Sequence, residues 1–448
     1  MPGSQLSRGV GRFLLPGAIL ALALAGSSAE KQTPKRVARP AFAGAQGFGA
    51  MSAGGRGGRV IAVTTLADAG RGSLRSCIDQ AGPRICVFRV SGVIRFTQRP
   101  PVISKAFITI AGQTAPGGGI TLAHRGGPLG YTPLLIKGTH DVIVRDIRVR
   151  PDLRGDDRGA NDAITIEDSR NVILDHVSGS WGLDEIVNGQ GDNENVTISW
   201  SIFAEGLPRH DKCALLGSDP KGPQRMSFIN NICAHNGDRN PDLNFTPGSC
   251  VEVINNLFYN AQSQFAEVWE SYGGTPVSIV GNVFRAGPNT GLATVGIDRQ
   301  RIGSRGAARV YISDNIFDGA FTNTAPGIAE IKATRPSCPL SIRPQPAAAA
   351  YRAVLATAGA WPRDKIDQRI VAEVRSRTGH IRKAAGTIPA VTSPPAPADT
   401  DNDGMPDGWE RSHGSNAAVA DAWQDANRDG VPNFDEYLDD AHRAALAR

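Results

Sequence analysis

The sequence predicts an all-β fold, a parallel β-helix, followed by covering helices at its C-terminal end. Three observations lead to this prediction: a strand-like segment that recurs along the chain, an asparagine at the same place in most copies, and two amphipathic helix patterns beyond residue 335. The composition agrees, because 52 glycines and 30 prolines in 448 residues suit many tight turns rather than long helices.

The repeated segment has apolar residues at its first, third and seventh places. Its clear copies, VTISWSIF, MSFINNIC, VEVINNLF, VSIVGNVF and VYISDNIF, begin at residues 196, 226, 251, 277 and 310, so their starts are 30, 25, 26 and 33 residues apart. Looser relatives begin at residues 142 and 171. Alternating apolar residues predict a short strand with one buried face. Such a unit cannot bury that face alone, so the repeats are expected to stack into a solenoid.

The sixth place of four repeats is asparagine. These residues are Asn231, Asn256, Asn282 and Asn315. Stacked turns allow such side chains to form a ladder, in which each amide pairs with neighbouring backbone and side-chain groups. An ordinary β-sandwich predicts no such register and poorly explains the long, uneven connections.

Two helices are predicted after the repeats, in AAAAYRAVLATAG and PRDKIDQRIVAEVRSRTG. Gly359 is expected to end the first and Pro362 to begin the second. Apolar residues at helical spacing line one face of the second helix. We expect the helices to cover the open end of the solenoid, because an exposed strand edge invites aggregation. The face comprises Ile366, Ile370 and Val374.

The remaining boundaries follow from composition. The β-helix is assigned to residues 41–335, its helical C-terminal part to residues 336–385, and a Pro/Ala linker to residues 386–398. Residues 1–29 are predicted to be a signal peptide, since Arg8 and Arg12 precede an apolar run and small residues follow it. A secreted or periplasmic protein without a membrane anchor is expected; an uncleaved anchor is the alternative, but the apolar run is short and interrupted.

The six cysteines are more plausibly bridged than metal-binding in an exported protein. Cys77 and Cys86 are close in sequence and are the pair that we predict, while the pairing of the others stays open. The formal charge of +5 is spread unevenly, because acids concentrate in residues 399–440 and leave the rest basic. A basic body favours an acidic polymer as partner. Nucleic acid is not expected, since no Lys/Arg run is interleaved with aromatic residues.

Residues 399–440 contain two copies of a calcium-loop pattern, with oxygen-bearing side chains at places 1, 3, 5, 9 and 12 and glycine at place 6. A solvated acidic tail would not place glycine at the sharp turn twice. The module resembles dockerin or thrombospondin type 3 calcium modules, which implies a structural or adhesive role and a docking or adhesion partner. The first loop is Asp399, Asp401, Asp403, Gly404, Asp407 and Glu410; the second is Asp425, Asn427, Asp429, Gly430, Asn433 and Glu436.

Residues 42–379 carry several longer motifs in a fixed order: GFGAMSAGGRGGRVIAVTTLADAGRGSLR, ITIAGQTAPGGGI, NDAITIEDSRNVILDHVSGSW, HDKCALLG and DRNP. This stretch resembles the pectate lyase family, polysaccharide lyase family 1. The resemblance implies a right-handed parallel β-helix whose groove binds an acidic polysaccharide. It also implies calcium-assisted β-elimination rather than hydrolysis.

The resemblance places Arg239, in DRNP, at the position of the catalytic base. Arginine is a poor base because its reference pKa lies above ~12, but neighbouring cations and partial dehydration disfavour its charged form. Its guanidinium could instead act as an electrophile for the developing enediolate. An arginine in a polar loop is otherwise usually a surface ion-pair partner.

Other site residues follow from the same resemblance. Lys212 in HDKCALLG matches a lysine that grips a substrate carboxylate, and Asp162 in NDAI matches a calcium ligand. Asp184 and Glu185 in WGLDE fall where the family supplies further carboxylates for calcium. Two further matches, Asp175 and His176 in ILDH, are interpreted as buried structural residues.

Two departures from the family pattern bear on the substrate and the metal. Asp242 follows DRNP where a second arginine is common, so the polymer need not be plain polygalacturonate. Ala160 stands where another calcium acid is expected. The sequence therefore predicts a secreted lyase for a uronate-containing polysaccharide. The alternatives are a β-helix glycoside hydrolase, with two carboxylates across the scissile bond, and a non-catalytic glycan-binding or adhesive solenoid.

Overall fold

A computed structural model describes residues 39–155, 161–208 and 210–448 of the chain. The predicted signal peptide (1–29) and Ala160 lie outside the described residues. Residues 39–448 form one compact unit. In the described ranges, no helix is both long enough and apolar enough to cross a membrane.

The chain forms three parallel sheets, here named A, B and C, and from Arg84 onward it passes through them in the same order on each full turn. Sheets B and C contain nine strands each and sheet A contains eleven. Every neighbouring pair of strands is parallel. The predicted parallel β-helix is confirmed.

The strands of sheet A are Arg59–Val63, Arg84–Phe88, Ile108–Ala111, His140–Arg145, Arg170–Asp175, Glu194–Ser199, Arg225–Ile229, Cys250–Ile254, Pro276–Val280, Arg309–Ser313 and Lys332–Ala333. Those of sheet B are Gly92–Phe96, Ile120–His124, Ile147–Val149, Ser178–Ser180, Ile202–Ala204, Ile232–Ala234, Leu257–Tyr259, Val283–Arg285 and Ile316–Asp318. Those of sheet C are Val102–Ile103, Leu134–Lys137, Ile164–Glu167, Glu185–Gln190, Lys212–Ser218, Asp242–Leu243, Gln264–Trp269, Val295–Gln300 and Thr322–Thr324.

The predicted repeats lie one above another in sheet A. The first residue of each clear copy is in register with that of the next, from Val196 to Val310. The asparagine ladder is also confirmed. Asn256, for example, accepts hydrogen bonds from the backbone N–H and the side-chain amide of Asn231, at 2.9 and 3.1 Å, and donates to Phe228 O at 2.8 Å.

One continuous apolar core fills the interior of the solenoid, with aromatic rings stacked on successive turns, such as Phe284 on Phe317 at 5.0 Å between centroids. Short helices contribute to this core near both ends: Leu74–Ile78 at the first turn and Ile328–Ile331 after the last full turn. The predicted disulfide Cys77–Cys86 is present. The two other bridges join Cys213 to Cys233 and Cys250 to Cys338.

The two predicted helices are confirmed as Ala347–Thr357 and Lys365–Ser376, but their expected place at the open end is wrong. They pack on the outer face of sheet B, where Ile370 and Val374 join a second apolar cluster with Ile202, Ile232 and Leu257. The second helix begins at Lys365 rather than at Pro362, because the Asp364 carboxylate accepts the N–H groups of Ile366 and Asp367. Sheet B needs this cover because its outward side chains are also apolar.

A buried ionic network fixes the second helix. Arg150 donates to Asp364 at 3.0 Å and to Asp367 at 2.8 Å, and Arg148 lies beside the same pair of acids. All four side chains are almost completely buried. Removing one partner of such a network leaves an uncompensated buried charge.

The C-terminal segment contains the helices Asp407–His413 and Asn433–Leu446. Phe434, Tyr437 and Leu438 pack on the outer face of sheet A against Ile85 and Val87. Two 3₁₀ turns, Gly112–Thr114 and Gly127–Leu129, complete the elements.

Replacing Asn256 by alanine is expected to lower the free energy of unfolding by roughly 2–4 kcal/mol, because the N–H of Asn231 and the carbonyl of Phe228 both lose a buried partner. Urea denaturation followed by circular dichroism measures the change. Asn323→Ala removes an exposed asparagine from the same solenoid and serves as control. Equal midpoints for the two variants would show that the ladder contributes no stability.

Candidate active site

Charged side chains cluster where four consecutive strands of sheet C begin. Asp162 precedes Ile164–Glu167, and Glu185 and Lys212 are the first residues of the next two strands. Glu185 is in register with Lys212, and Lys212 forms an isolated bridge with Asp238, next to Arg239. Since stacked strands are about 4.8 Å apart, the winding of the chain converts distant positions into one row of charges.

Arg239 is held at both its backbone and its side chain. Its φ of 52° lies in the left-handed region, which is uncommon for a residue with a side chain. Its N–H donates to Glu267 Oε1 at 3.1 Å. The guanidinium donates from Nη1 to Glu185 Oε1, and its Nε lies 3.5 Å from Asp242 Oδ2.

Burial by itself would lower the pKa of Arg239, but the nearby carboxylates of Asp242, Glu185 and Glu267 outweigh burial and raise that pKa above its ordinary value. The guanidinium is therefore a cation in this arrangement. A quarter of the side chain remains exposed, so a ligand bound along this edge of sheet C can reach it.

Asp162, Asp184 and Glu185 form a carboxylate cluster beside Arg239, with ligand oxygens within 4.8 Å of one another. Burial, together with Asp162 and Asp184, raises the pKa of Glu185 to about 8. Burial also raises the pKa of Asp162 to about 6. A hard divalent cation is the simplest offset for such crowding.

Asn188 adds a neutral oxygen to this cluster. Its Nδ2 donates to Asp162 Oδ2 at 3.1 Å, while its Oδ1 is buried and accepts no hydrogen bond from the part of the chain that the structure describes. Amide oxygens are common calcium ligands. The chemistry of the cluster therefore suits calcium, and Glu185 belongs both to the cluster and to the contact with Arg239.

The Lys212 ammonium donates to Asp238 Oδ2 at 2.5 Å, and both side chains are about one-sixth exposed. Ser263 donates to the same carboxylate at 3.2 Å. A substrate carboxylate would share the three N–H donors of Lys212 with Asp238 or compete with Asp238 for them.

Asp175 and His176 lie on sheet A, away from this row of charges. Asp175 accepts from Arg145 at 2.9 Å and from Ser199 at 2.8 Å, and it pairs with His176 at 2.7 Å. Burial opposes ionisation of Asp175, but His176 and Arg145 dominate and lower its pKa. This environment suits the structural role predicted for both residues.

The family model described as "Pectate lyase" matches residues 119–359. A protein of Aspergillus flavus named probable pectate lyase C is 36% identical over 399 residues, covering 85% of this chain and 89% of that protein. The Aspergillus oryzae protein of the same name is 35% identical with the same coverage.

The chain belongs to the pectate lyase family. It is therefore an enzyme, a polysaccharide lyase. A solved structure with the same fold is jun a 1, the major allergen from cedar pollen, with a TM-score of 0.54 and 19% identity over 70% of this chain and 92% of that one. A pectate lyase from Nicotiana tabacum is 26% identical over 196 residues, which is 39% of this chain and 45% of that protein.

The five groove residues predicted from the pectate lyase resemblance lie together. The residues that support them were not predicted as site residues: Glu267, which holds the backbone of Arg239, Asn188 in the carboxylate cluster, and Asp238 at Lys212. Glu267 and Asn188 lie in no motif that the sequence analysis used, and Asp238, although it begins DRNP, was given no role there. Asp242 was recognised only as a departure, and it contacts Arg239. The five residues are Arg239, Lys212, Asp162, Asp184 and Glu185.

In the C-terminal loops, some of the predicted calcium ligands lie close together and others are hydrogen-bonded elsewhere. Oxygens of Asp399, Asp401 and Asp403 lie within 4.8 Å of one another, and Glu410 approaches Asp403 in the same way. Asp407 instead accepts from the N–H and hydroxyl of Thr400, at 2.7 and 2.8 Å.

Asn433, at place 9 of the second loop, is also used as a hydrogen-bond acceptor, as Asp407 is in the first loop. Its Oδ1 accepts the N–H of Ala426 at 2.9 Å. Places 1, 3 and 5 of this loop, Asp425, Asn427 and Asp429, accept N–H groups within the loop. Glu436 Oε1 accepts from Asn427 Nδ2 at 2.8 Å.

The pH dependence of stability tests the surroundings of Arg239. Burial and Asp238 raise the pKa of Glu267 to about 7 from an ordinary value of 4.5. Because the pKa of Glu267 is higher in the folded than in the unfolded protein, its protonation stabilises the folded state. This stabilisation is fully present below the unfolded pKa and is lost as pH rises through about 7. In chelator, Glu267→Gln should remove up to about 3 kcal/mol of the loss in unfolding free energy between pH 4.5 and 8.

The control is Glu330→Gln, which alters an exposed acid. Urea unfolding at a series of pH values gives both profiles. A Glu267→Gln profile parallel to that of the parent protein would contradict a raised pKa at Glu267.

Proposed function

We propose that the protein is a secreted lyase that cleaves a pectate-like, uronate-containing polysaccharide by calcium-assisted β-elimination, with Arg239 as the base. The observation that carries this proposal is the row formed by the acidic cluster, Arg239 and Lys212 along one edge of sheet C. The names of the relatives, pectate lyases, support the choice of substrate.

The reaction breaks two bonds and forms one double bond. A base takes the proton alpha to the uronate carboxylate, the freed electron pair forms the new double bond, and the glycosidic oxygen leaves and takes up a proton from water. Arg239 lies at the centre of the row and acts as this base in its neutral guanidine form, so its guanidinium cation first releases a proton to water. Lys212, whose ammonium has more N–H donors than Asp238 accepts, pairs with the carboxylate of a neighbouring sugar.

Calcium would be held by Asp162, Asp184 and Glu185, with Asn188 as a fourth candidate. A cation held there next to the substrate carboxylate would make the adjacent proton more acidic. Glu185 would then be shared between metal and guanidinium, which weakens one of the interactions that keep Arg239 charged.

Two further features support the wider proposal. The three disulfides suit an oxidising compartment outside the cytoplasm, as does the signal pattern of residues 1–29. The acidic loops of residues 399–440 are proposed to bind calcium for a structural purpose.

Arg239→Ala should lower kcat/KM roughly 10²- to 10⁴-fold, because the group nearest the reacting proton is lost. The measurement is the ultraviolet absorbance of unsaturated uronate ends on a panel of acidic polysaccharides. Arg309→Ala, which removes an exposed arginine of sheet A, should leave the rate unchanged. Saturated reducing ends, or binding without turnover, would contradict the proposal.

Arg239→Lys distinguishes the two chemical roles of the arginine. If the group is a base, the activity of this variant should rise as pH approaches the ordinary lysine pKa of about 10. If the group is an electrophile, activity should fall over the same range because the lysine loses its charge.

Chelation should abolish turnover, and added calcium should restore it. Asp162→Asn should raise the calcium concentration for half-maximal rate roughly tenfold or more, because one charged ligand of the cluster is lost. Asp192→Asn, an exposed acid just after the next strand of sheet C, Glu185–Gln190, is the control. Full activity in chelator would exclude a catalytic calcium.

A further inference from the structure

We propose that the first C-terminal loop and Asp421, a residue outside the loop motif, together form one tight calcium site that clamps residues 399–448 onto the outer face of sheet A. The site is separate from the groove, so the proposal does not depend on the proposed lyase reaction. It assigns the module an intramolecular role in place of a docking partner.

The geometry of the acids defines the site. Oxygens of Asp399, Asp401 and Asp403 lie within 4.8 Å of one another, and so do oxygens of Asp403, Glu410 and Asp421. Asp403 belongs to both groups, so the two groups adjoin at this carboxylate and bring five acids into one neighbourhood. Such an all-oxygen, acid-rich set matches the preference of calcium.

Glu410 provides an independent indication of a missing partner. Its side chain is completely buried, and neither carboxylate oxygen accepts a hydrogen bond from residues 39–155, 161–208 or 210–448. Asp399 Oδ1 and Asp401 Oδ2 are also buried and accept no hydrogen bond from the described residues. Buried carboxylates without donors are costly, and a bound cation removes that cost.

Asp421 is placed by contacts from both loops. Its N–H donates to Asp403 Oδ2 at 3.0 Å, and its own Oδ1 accepts from Asn433 Nδ2 at 3.2 Å. Asn433 belongs to the second loop, where it was predicted as a calcium ligand. In this arrangement it holds Asp421 at the first loop.

The second loop is the weaker site. It has three acids rather than five, and Asn427 donates to Glu436. Asn427, Arg428 and Asp429 are exposed. Because affinity in such loops depends on ligand charge and rigidity, calcium should occupy the first loop at lower concentration.

Occupying the first loop would fasten an apolar contact. Met405, inside the loop, is fully buried with Phe434 and Leu438 against Ile85 and Val87 of sheet A. Asp399 also lies 3.5 Å from Arg89. Trp423, between the loops, donates to Gly58 O at 2.9 Å. The ion therefore orders the residues that cover the N-terminal turns.

The test uses the full chain and compares Asp421→Asn and Glu410→Gln with Glu436→Gln, the matched change in the second loop. Calcium titrations are followed by the thermal unfolding midpoint and by terbium emission sensitised through Trp409, the neighbour of Glu410. The two first-loop variants should need roughly tenfold or more calcium for the same rise in midpoint, whereas Glu436→Gln should need less than about threefold more.

The proposal is overturned if Glu436→Gln removes the rise while Asp421→Asn keeps it, or if calcium leaves the parent midpoint unchanged. If a variant does not fold, hydrogen exchange of the unmodified protein with and without calcium provides the test instead. Calcium should slow exchange of the backbone amides of Met405 and Phe434, and unchanged exchange there would also overturn the proposal. Lyase assays on the same samples report separately on the groove.

Discussion

The whole molecule depends on the hydrogen bonding of each turn to the next at a single strand spacing. In a parallel ladder that spacing is about 4.8 Å, and side chains of the same place in the repeat lie directly over one another. Apolar residues therefore form the interior core, and asparagines form a ladder whose buried amides satisfy each other. A substitution in one turn therefore alters the packing and hydrogen bonding of the two turns that contact it.

The same stacking has a cost at the beginning of sheet C, where it places like charges next to one another. Asp162 and Glu185 are buried together, and their pKa values rise to about 6 and about 8. Arg239 opposes part of the charge of Glu185, with which it pairs. Such a row is poorly optimised for stability, and it is suited to a ligand that brings both carboxylates and a metal.

The outer surfaces of the solenoid explain the remaining elements. Outward apolar residues of sheet B are covered by the helices Ala347–Thr357 and Lys365–Ser376, and those at the start of sheet A by the C-terminal segment. Buried ion pairs of Arg150 with Asp364 and Asp367 orient the helix Lys365–Ser376 on sheet B. The C-terminal segment carries the acid-rich loop, so its attachment responds to a cation rather than to packing alone.

The sequence by itself determined the parallel β-helix, the register of its repeats, the asparagine ladder, the two helices and the Cys77–Cys86 bridge. These features depend on residues that are near in sequence or on a short pattern that recurs along the chain. The resemblance of the sequence to the pectate lyase family predicted Arg239, Lys212 and the acidic cluster as site residues. Only the tertiary structure decided which surface the helices cover, since an apolar face does not specify its partner. It likewise added Glu267, Asn188 and Asp421, whose contacts arise when turns or loops distant in sequence meet.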